Sequence, residues 1–153
     1  MPNTVNRVKA KPVAVKRVYE EPAPSDGTRV LVDRLWPRGL SKERAAVDRW
    51  LRDLAPSDAL RKWFHARPEG WPTFRRRYFK ELARPESTQA LDELYRLANG
   101  QKQLTLLFAS KNAERNNAVV LRDLLEGMRK PPTGTGPGGV RAVRDRQAKR
   151  MPK

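Results

Sequence analysis

A strand that runs through a short, rigid, charged loop into a helix constrains this chain more than any other feature. Residues Arg29–Leu40 read RVLVDRLWPRGL, and Ser41 follows. Val30-Leu31-Val32 is a short apolar run rich in β-branched residues, the pattern of a buried strand. Pro37 and Gly39 mark a rigid loop. Ser41 then caps a helix, with Glu43 placed to complement its dipole. In open α/β sheets ligands collect outside the carboxyl ends of strands. The free N–H groups of a helix start favour anions. The loop carries Asp33, Arg34, Trp36 and Arg38, so it points to a binding place more firmly than to a reaction.

Along the rest of the chain, strands alternate with helices. Pro12–Tyr19 alternates as a first strand with Val13, Val15 and Val18 inward, and Glu20–Gly27 is a loop with two prolines. Val47, Trp50, Leu51 and Leu54 fall at helical spacing. Asp48, Trp50, Arg52 and Leu54 also alternate, so residues 48–54 fit a helix or a short strand before Ala55-Pro56. Ser57-Asp58 opens a helix with Leu60, Trp63 and Phe64 inward, and Arg67–Gly70 breaks it. The next helix turns Trp71, Phe74, Tyr78 and Leu82 to the core, with Arg75, Arg76, Arg77 and Lys80 on its other side. After Pro85, a helix with Leu91, Leu94, Tyr95 and Ala98 closes at Asn99-Gly100. Gln103–Ser110, QLTLLFAS, is the best central strand, and the last helix carries Leu121, Leu124, Leu125 and Met128. This order predicts a single α/β domain over residues 12–128. Its central sheet is small, at least partly parallel, and flanked by helices.

The charge sits mostly outside that domain. Of the net +16, residues 1–17 hold +5 and residues 129–153 hold +7, which leaves +4 for the rest. Residues 1–11 therefore read as a basic lead-in. Residues 129–153 read as a Pro/Gly linker with a disordered basic tail. Basic tails attract phosphate backbones without regard to sequence.

The chain has no cysteine and one histidine, His65. Disulfides, thiolate catalysis and cysteine-ligated metals are excluded, and no metal site is expected. No run reaches the length of a membrane span and no secretory signal opens the chain, so a cytoplasmic protein without membrane partners is expected.

A second strand-to-helix junction, Ser110–Asn117, reads SKNAERNN. If its strand runs parallel to the first, Arg34, Arg38, Lys111 and Arg115 converge with Asp33, Asn112 and Asn116 on one sheet edge. Arg34, Trp36, Arg38, Gly39, Lys111, Asn112 and Asn116 are then the candidate ligand contacts. Guanidinium forks suit phosphate or carboxylate. Asp33 orients them, acts as a base if there is chemistry, or pairs with Arg34 structurally. Trp36 is a stacking platform or a loop anchor. No glycine-rich phosphate loop or spaced carboxylate pair identifies a reaction, and no cofactor is specified.

Five segments match a known pattern together: DRLWPRG at 33–39, LAPS at 54–57, RKWF at 61–64, FRRRYFKEL at 74–82 and LLFASKNAERNNAVVL at 106–121. They resemble the bacterial family catalogued as domain of unknown function 488 (DUF488), in its short YeaO-like members. The resemblance covers about residues 12–128 and implies a fold and a site location rather than an activity. Family members often carry aspartate where this chain has Asn112. They often carry Asn-His or Cys-His where it has Asn116-Asn117, and lysine where it has Arg52. The groups best suited to proton transfer at the second junction are thus absent.

Three readings follow: a site for an anionic small ligand at the strand ends, a nucleic-acid binder using the tails and the Arg75-Arg76-Arg77 face, or a non-catalytic partner-binding accessory protein. The residues do not decide between a binding module and an enzyme, nor do they set the oligomeric state.

Overall fold

The computed structural model describes residues 12–129. The lead-in 1–11, the linker and tail from residue 130 onward, and the side chains of Met128 and Arg129 lie outside the described residues. Four strands, β1 (Ala14–Arg17), β2 (Thr28–Leu31), β3 (Arg49–Trp50) and β4 (Leu104–Phe108), form one sheet in the order β1-β4-β2-β3. Every pairing is parallel. The helices are α1 (Lys42–Ala45), α2 (Asp58–Ala66), α3 (Trp71–Leu82), α4 (Pro85–Ala98) and α5 (Asn117–Arg129). This is the expected α/β domain, and the sheet is wholly parallel.

Strand alternation sorts the apolar side chains onto two faces. Val30, Val32, Leu104, Leu106 and Phe108 pack into the larger core with Leu54, Leu60, Phe74, Tyr78, Leu94, Leu121 and Leu125. Leu31 and Leu107 point the other way, into a smaller cluster with Val18, Ala45, Trp36, Leu40, Val47 and Trp50. Val13 and Val18 therefore lie on opposite faces, as their odd spacing requires. Fully burying one Leu or Phe contributes about 1.5–3 kcal/mol, so the larger face supplies most of the stability.

The ambiguous segment 48–54 resolves as strand followed by turn. Helix α1 stops at Ala45 because Ala46 adopts a left-handed conformation, φ 50°. Arg49–Trp50 then pairs with Val30–Leu31, and Arg52–Leu54 forms a 3-10 turn. The β2 ladder wins because the Asp48 and Leu51 amides donate to the carbonyls of Arg29 and Leu31 (both 2.9 Å). Trp50 is accordingly on a strand, not on a helical face. The strand expected at Val30–Val32 spans Thr28–Leu31, with one further ladder bond from the Val32 amide to Leu107.

At the amino-terminal edge of the sheet a polar cluster is buried. Asp26 (8% exposed) accepts from Arg29 at 2.6 Å and from Lys16 at 3.0 Å. Arg29 (4% exposed) also donates to the carbonyls of Ala45 and Ala46. It thereby satisfies the end of α1, whose last carbonyls lack helical partners. Gly27, at φ 65°, is required there because a Cβ would sit 2.1 Å from the Gln103 carbonyl oxygen.

The outer strands are closed in different ways. Just before β1 the Val13 amide donates to Glu126 (2.9 Å), and at its end the Arg17 amide donates to Glu20 (3.1 Å). On the opposite margin β3 is only two residues long.

Candidate functional site

Because the sheet is wholly parallel and β2 neighbours β4, the loops after both strands leave from the same edge. Asp33 joins them. One carboxylate oxygen accepts from the Ala109 amide at 2.9 Å, just beyond β4. The other accepts from the Asn117 side-chain amide at 3.1 Å, at the start of α5. Its main-chain carbonyl accepts from the Trp50 indole N–H at 2.8 Å. One residue therefore ties the ends of β2, β3 and β4 to α5. Among the described residues no ion pair involves Asp33, so the alternative of a structural Asp33–Arg34 salt bridge does not hold.

Burial raises the Asp33 carboxyl above its ordinary 3.8. The Ala109 amide, the Asn117 amide and the more distant charge of Arg61 oppose that rise without cancelling it. Tyr78 lies beneath, its hydroxyl donating to the Leu54 carbonyl. Burial, with the charges of Asp33 and Glu81, pushes its phenol well above the usual value.

The two adjacent asparagines divide their work. Asn117 faces the sheet and also donates to the Val32 carbonyl at 2.9 Å. Asn116 caps α5, its oxygen accepting from the Val119 amide at 3.0 Å, while its NH2 donates to the Asn112 carbonyl at 2.8 Å. Asn112 accepts from the Glu114 and Arg115 amides and so shapes the loop. Asn117 was not among the sequence candidates, although its contact with Asp33 is the closest side-chain link between the junctions.

Arg17 and Tyr19 are two further residues that the sequence did not single out. The Arg17 guanidinium donates to the carbonyls of Ala109 (2.9 Å) and Ser110 (3.0 Å), and lies 4.8 Å from the Tyr19 ring centroid. The Tyr19 hydroxyl donates to the Arg38 carbonyl at 2.9 Å. This pair links the end of β1 to both junction loops. A charged residue closing a strand, two positions before an aromatic, was the available signal.

Arg34, Arg38, Lys111 and Arg115 are exposed, and none is in an ion pair among the described residues. Arg34 reaches the Pro56 carbonyl at 3.4 Å. Trp36 packs edge-on against Trp50 (5.4 Å between ring centroids) and donates to the Leu40 carbonyl at 2.7 Å, which is the geometry of a loop anchor. Gly39 has φ 82°, a left-handed conformation that explains glycine there. A depression of about 530 Å³ lined by Pro24, Ser25, Gly27 and Gln101–Gln103 lies at the amino-terminal edge and contains none of these residues.

A family model described as the inactive DUF488-N3 subclade matches residues 12–133. The chain belongs to the inactive DUF488-N3 subclade. It is 45% identical over 118 residues to the uncharacterized protein YeaO of Escherichia coli (strain K12), a match covering 76% of this chain and 98% of that protein. It is 44% identical over 115 residues to the uncharacterized protein Rv3073c of Mycobacterium tuberculosis (strain ATCC 25618 / H37Rv), covering 75% of this chain and 94% of that protein. The uncharacterized protein Mb3100c of Mycobacterium bovis matches to the same extent. No solved structure matches the chain significantly.

Proposed function

We propose that this DUF488-N3 protein binds an anionic small molecule, carrying phosphate or a nucleotide-like group, at the carboxyl edge of its sheet, and that it binds without turning the ligand over. The observation that carries the reading is Asp33, which draws the two basic loops together from a half-buried position while no cation of the described residues pairs with it. Arg34, Arg38 and Lys111 contact the anion, Gly39 lets the loop turn, and Asn112 and Asn116 hold the second loop in shape. Trp36 anchors the first loop from below.

Binding without chemistry is favoured by how the polar groups are spent. Asn112, Asn116 and Asn117 carry no titratable proton, and Asn116 and Asn117 are committed to structural hydrogen bonds. Asp33, the titratable group between the junctions, has both oxygens occupied by N–H donors. The family description as inactive points the same way. A cytoplasmic protein fits this reading; among the described residues no helix is long and apolar enough to cross a membrane.

Calorimetric titration with inorganic phosphate, pyrophosphate and nucleoside phosphates tests the proposal. A charge-assisted hydrogen bond contributes about 1.5–3 kcal/mol, so Arg38→Ala is expected to weaken the bound ligand ~10-fold or more. No binding by any of these anions, or equal affinity in the Arg38→Ala variant, overturns it. Product formation from a bound ester would refute the non-catalytic half alone.

A further inference from the structure

The outward side of α3 is a second cationic surface, and the strand-end site does not use it. Residues 71–80 contain Arg75, Arg76, Arg77 and Lys80 and no acid. Among the described residues none of these four is in an ion pair. Glu81, the first acid after them, is turned inward, its oxygens accepting from the amide and hydroxyl of Ser57 at 2.7 and 2.6 Å. Arg76 and Lys80 stand at i and i+4, a like-charge spacing that destabilises a helix. Folding alone gives no reason for that cost.

Arg75 and Arg77 lie against rings instead of carboxylates, and Arg76 reaches only the Thr73 hydroxyl, at 3.4 Å. The Arg77 guanidinium is 4.7 Å from the Trp63 ring centroid, and that of Arg67 is 5.7 Å from the same ring. Arg75 is 6.0 Å from the centroid of Phe79. Phe79 itself is 38% exposed, one of three large apolar side chains left exposed among the described residues. Arg76, Phe79 and Lys80 share one face at i, i+3 and i+4, so an exposed ring sits between two cations.

We propose that this face of α3 binds single-stranded nucleic acid, with Arg76 and Lys80 contacting phosphates and Phe79 stacking on a base. Non-specific single-strand binders combine these two elements: cations that follow the backbone and rings on which bases stack. An acidic peptide would complement the cations and leave the ring unused. A membrane surface would need more exposed apolar area than one phenylalanine. The chain's terminal segments carry many further basic residues, so the test must separate their pull from that of α3.

The full chain is titrated with a fluorescent 15-nucleotide oligothymidylate across a salt series, with heparin as a polyanion that has no bases. Arg76→Glu/Lys80→Glu is expected to weaken oligonucleotide binding at least ~10-fold and to flatten the log–log salt dependence by about 1.4, at roughly 0.7 for each phosphate no longer neutralised. Phe79→Ala is expected to weaken oligonucleotide binding about 5-fold or more and to leave heparin binding unchanged. The neutral pair Arg76→Gln/Lys80→Gln guards against misfolding and should show the same direction. Arg96→Ala, which removes an exposed cation of α4 that belongs to neither site, should leave oligonucleotide binding unchanged. The proposal is overturned if the wild-type chain does not bind, or if the α3 variants bind as well as wild type, in which case the terminal segments do the work. It is also overturned if Phe79→Ala affects heparin and oligonucleotide equally, since the ring then reads no base.

Discussion

Asp26 and Asp33 stand at opposite edges of one sheet and are held in opposite ways. Burial alone would raise the Asp26 carboxyl, but the Ala23 amide together with Lys16 and Arg29 outweighs it and holds the group below its ordinary 3.8. Asp33 receives neutral N–H donors and no adjacent cation, and burial leaves it above 3.8. At the amino edge the sequence supplies a cation for its buried acid; at the carboxyl edge the cations stay in solvent while the acid holds the loops. Only the second arrangement leaves positive charge available to a ligand.

The sharpest way to break this contrast is Arg29→Ala. It leaves Asp26 with Lys16 as its remaining cation and uncovers the Ala45 and Ala46 carbonyls. Removing one partner of a buried ion pair costs about 3–5 kcal/mol, so a large drop in the urea midpoint is expected. A loss below ~1 kcal/mol would mean that the cluster is not a structural unit.

Asp33→Ala comes next. It leaves the Ala109 amide without an acceptor, at an expected cost of about 1–3 kcal/mol, and it should release the two loops and weaken anion binding. Asp33→Asn keeps the size and removes the charge, at the loss of one of the two accepted hydrogen bonds, a pH-independent cost, so the effect of the charge is read from the pH dependence. Asp26, with its folded value lowered, contributes stability that is present above the unfolded value and lost as pH falls through the folded one. Asp33, with its folded value raised, has the reverse sign. As pH rises from the unfolded value to the folded one, the native state must give up a proton it holds more tightly, and stability falls. The stability of Asp33→Asn relative to wild type should therefore grow as pH rises above 3.8 and then level off. A difference that is flat with pH would show that Asp33 is no more desolvated than in the unfolded chain.

The smallest expected effect is that of Ser41→Ala. The Ser41 hydroxyl accepts from the Arg44 amide at 3.1 Å. Losing an N-cap costs about 1 kcal/mol, and thermal unfolding should register it with little change in anion affinity.

The helices and the central strands were legible because their periodicities are long and clean, and Ser57, Pro85 and Gly70 punctuate them where the structure does. The meeting of the two junctions was legible too, since parallel neighbours put both loops on one edge. The polar detail was not. Asn116 and Asn117 are adjacent and chemically identical, and only the entry angle of α5 decides which one caps and which one reaches Asp33. Asp26 read as part of a turn and Arg29 as the first residue of a strand. Their pairing with Lys16 depends on strand order, and local pattern carries no trace of that. Residues 48–54 were undecided for a different reason: Trp50 and Leu54 satisfy both periods, and β2 settled the choice.

The carboxylates set on the outer amides of β1 have a consequence for crowding. Glu126 and Glu20 occupy the Val13 and Arg17 N–H groups, and the far margin offers a strand of two residues. A neighbouring copy that drifts alongside finds little free ribbon to zip onto from either flank. Among the described residues, both margins of the sheet are thereby poor templates for a further strand.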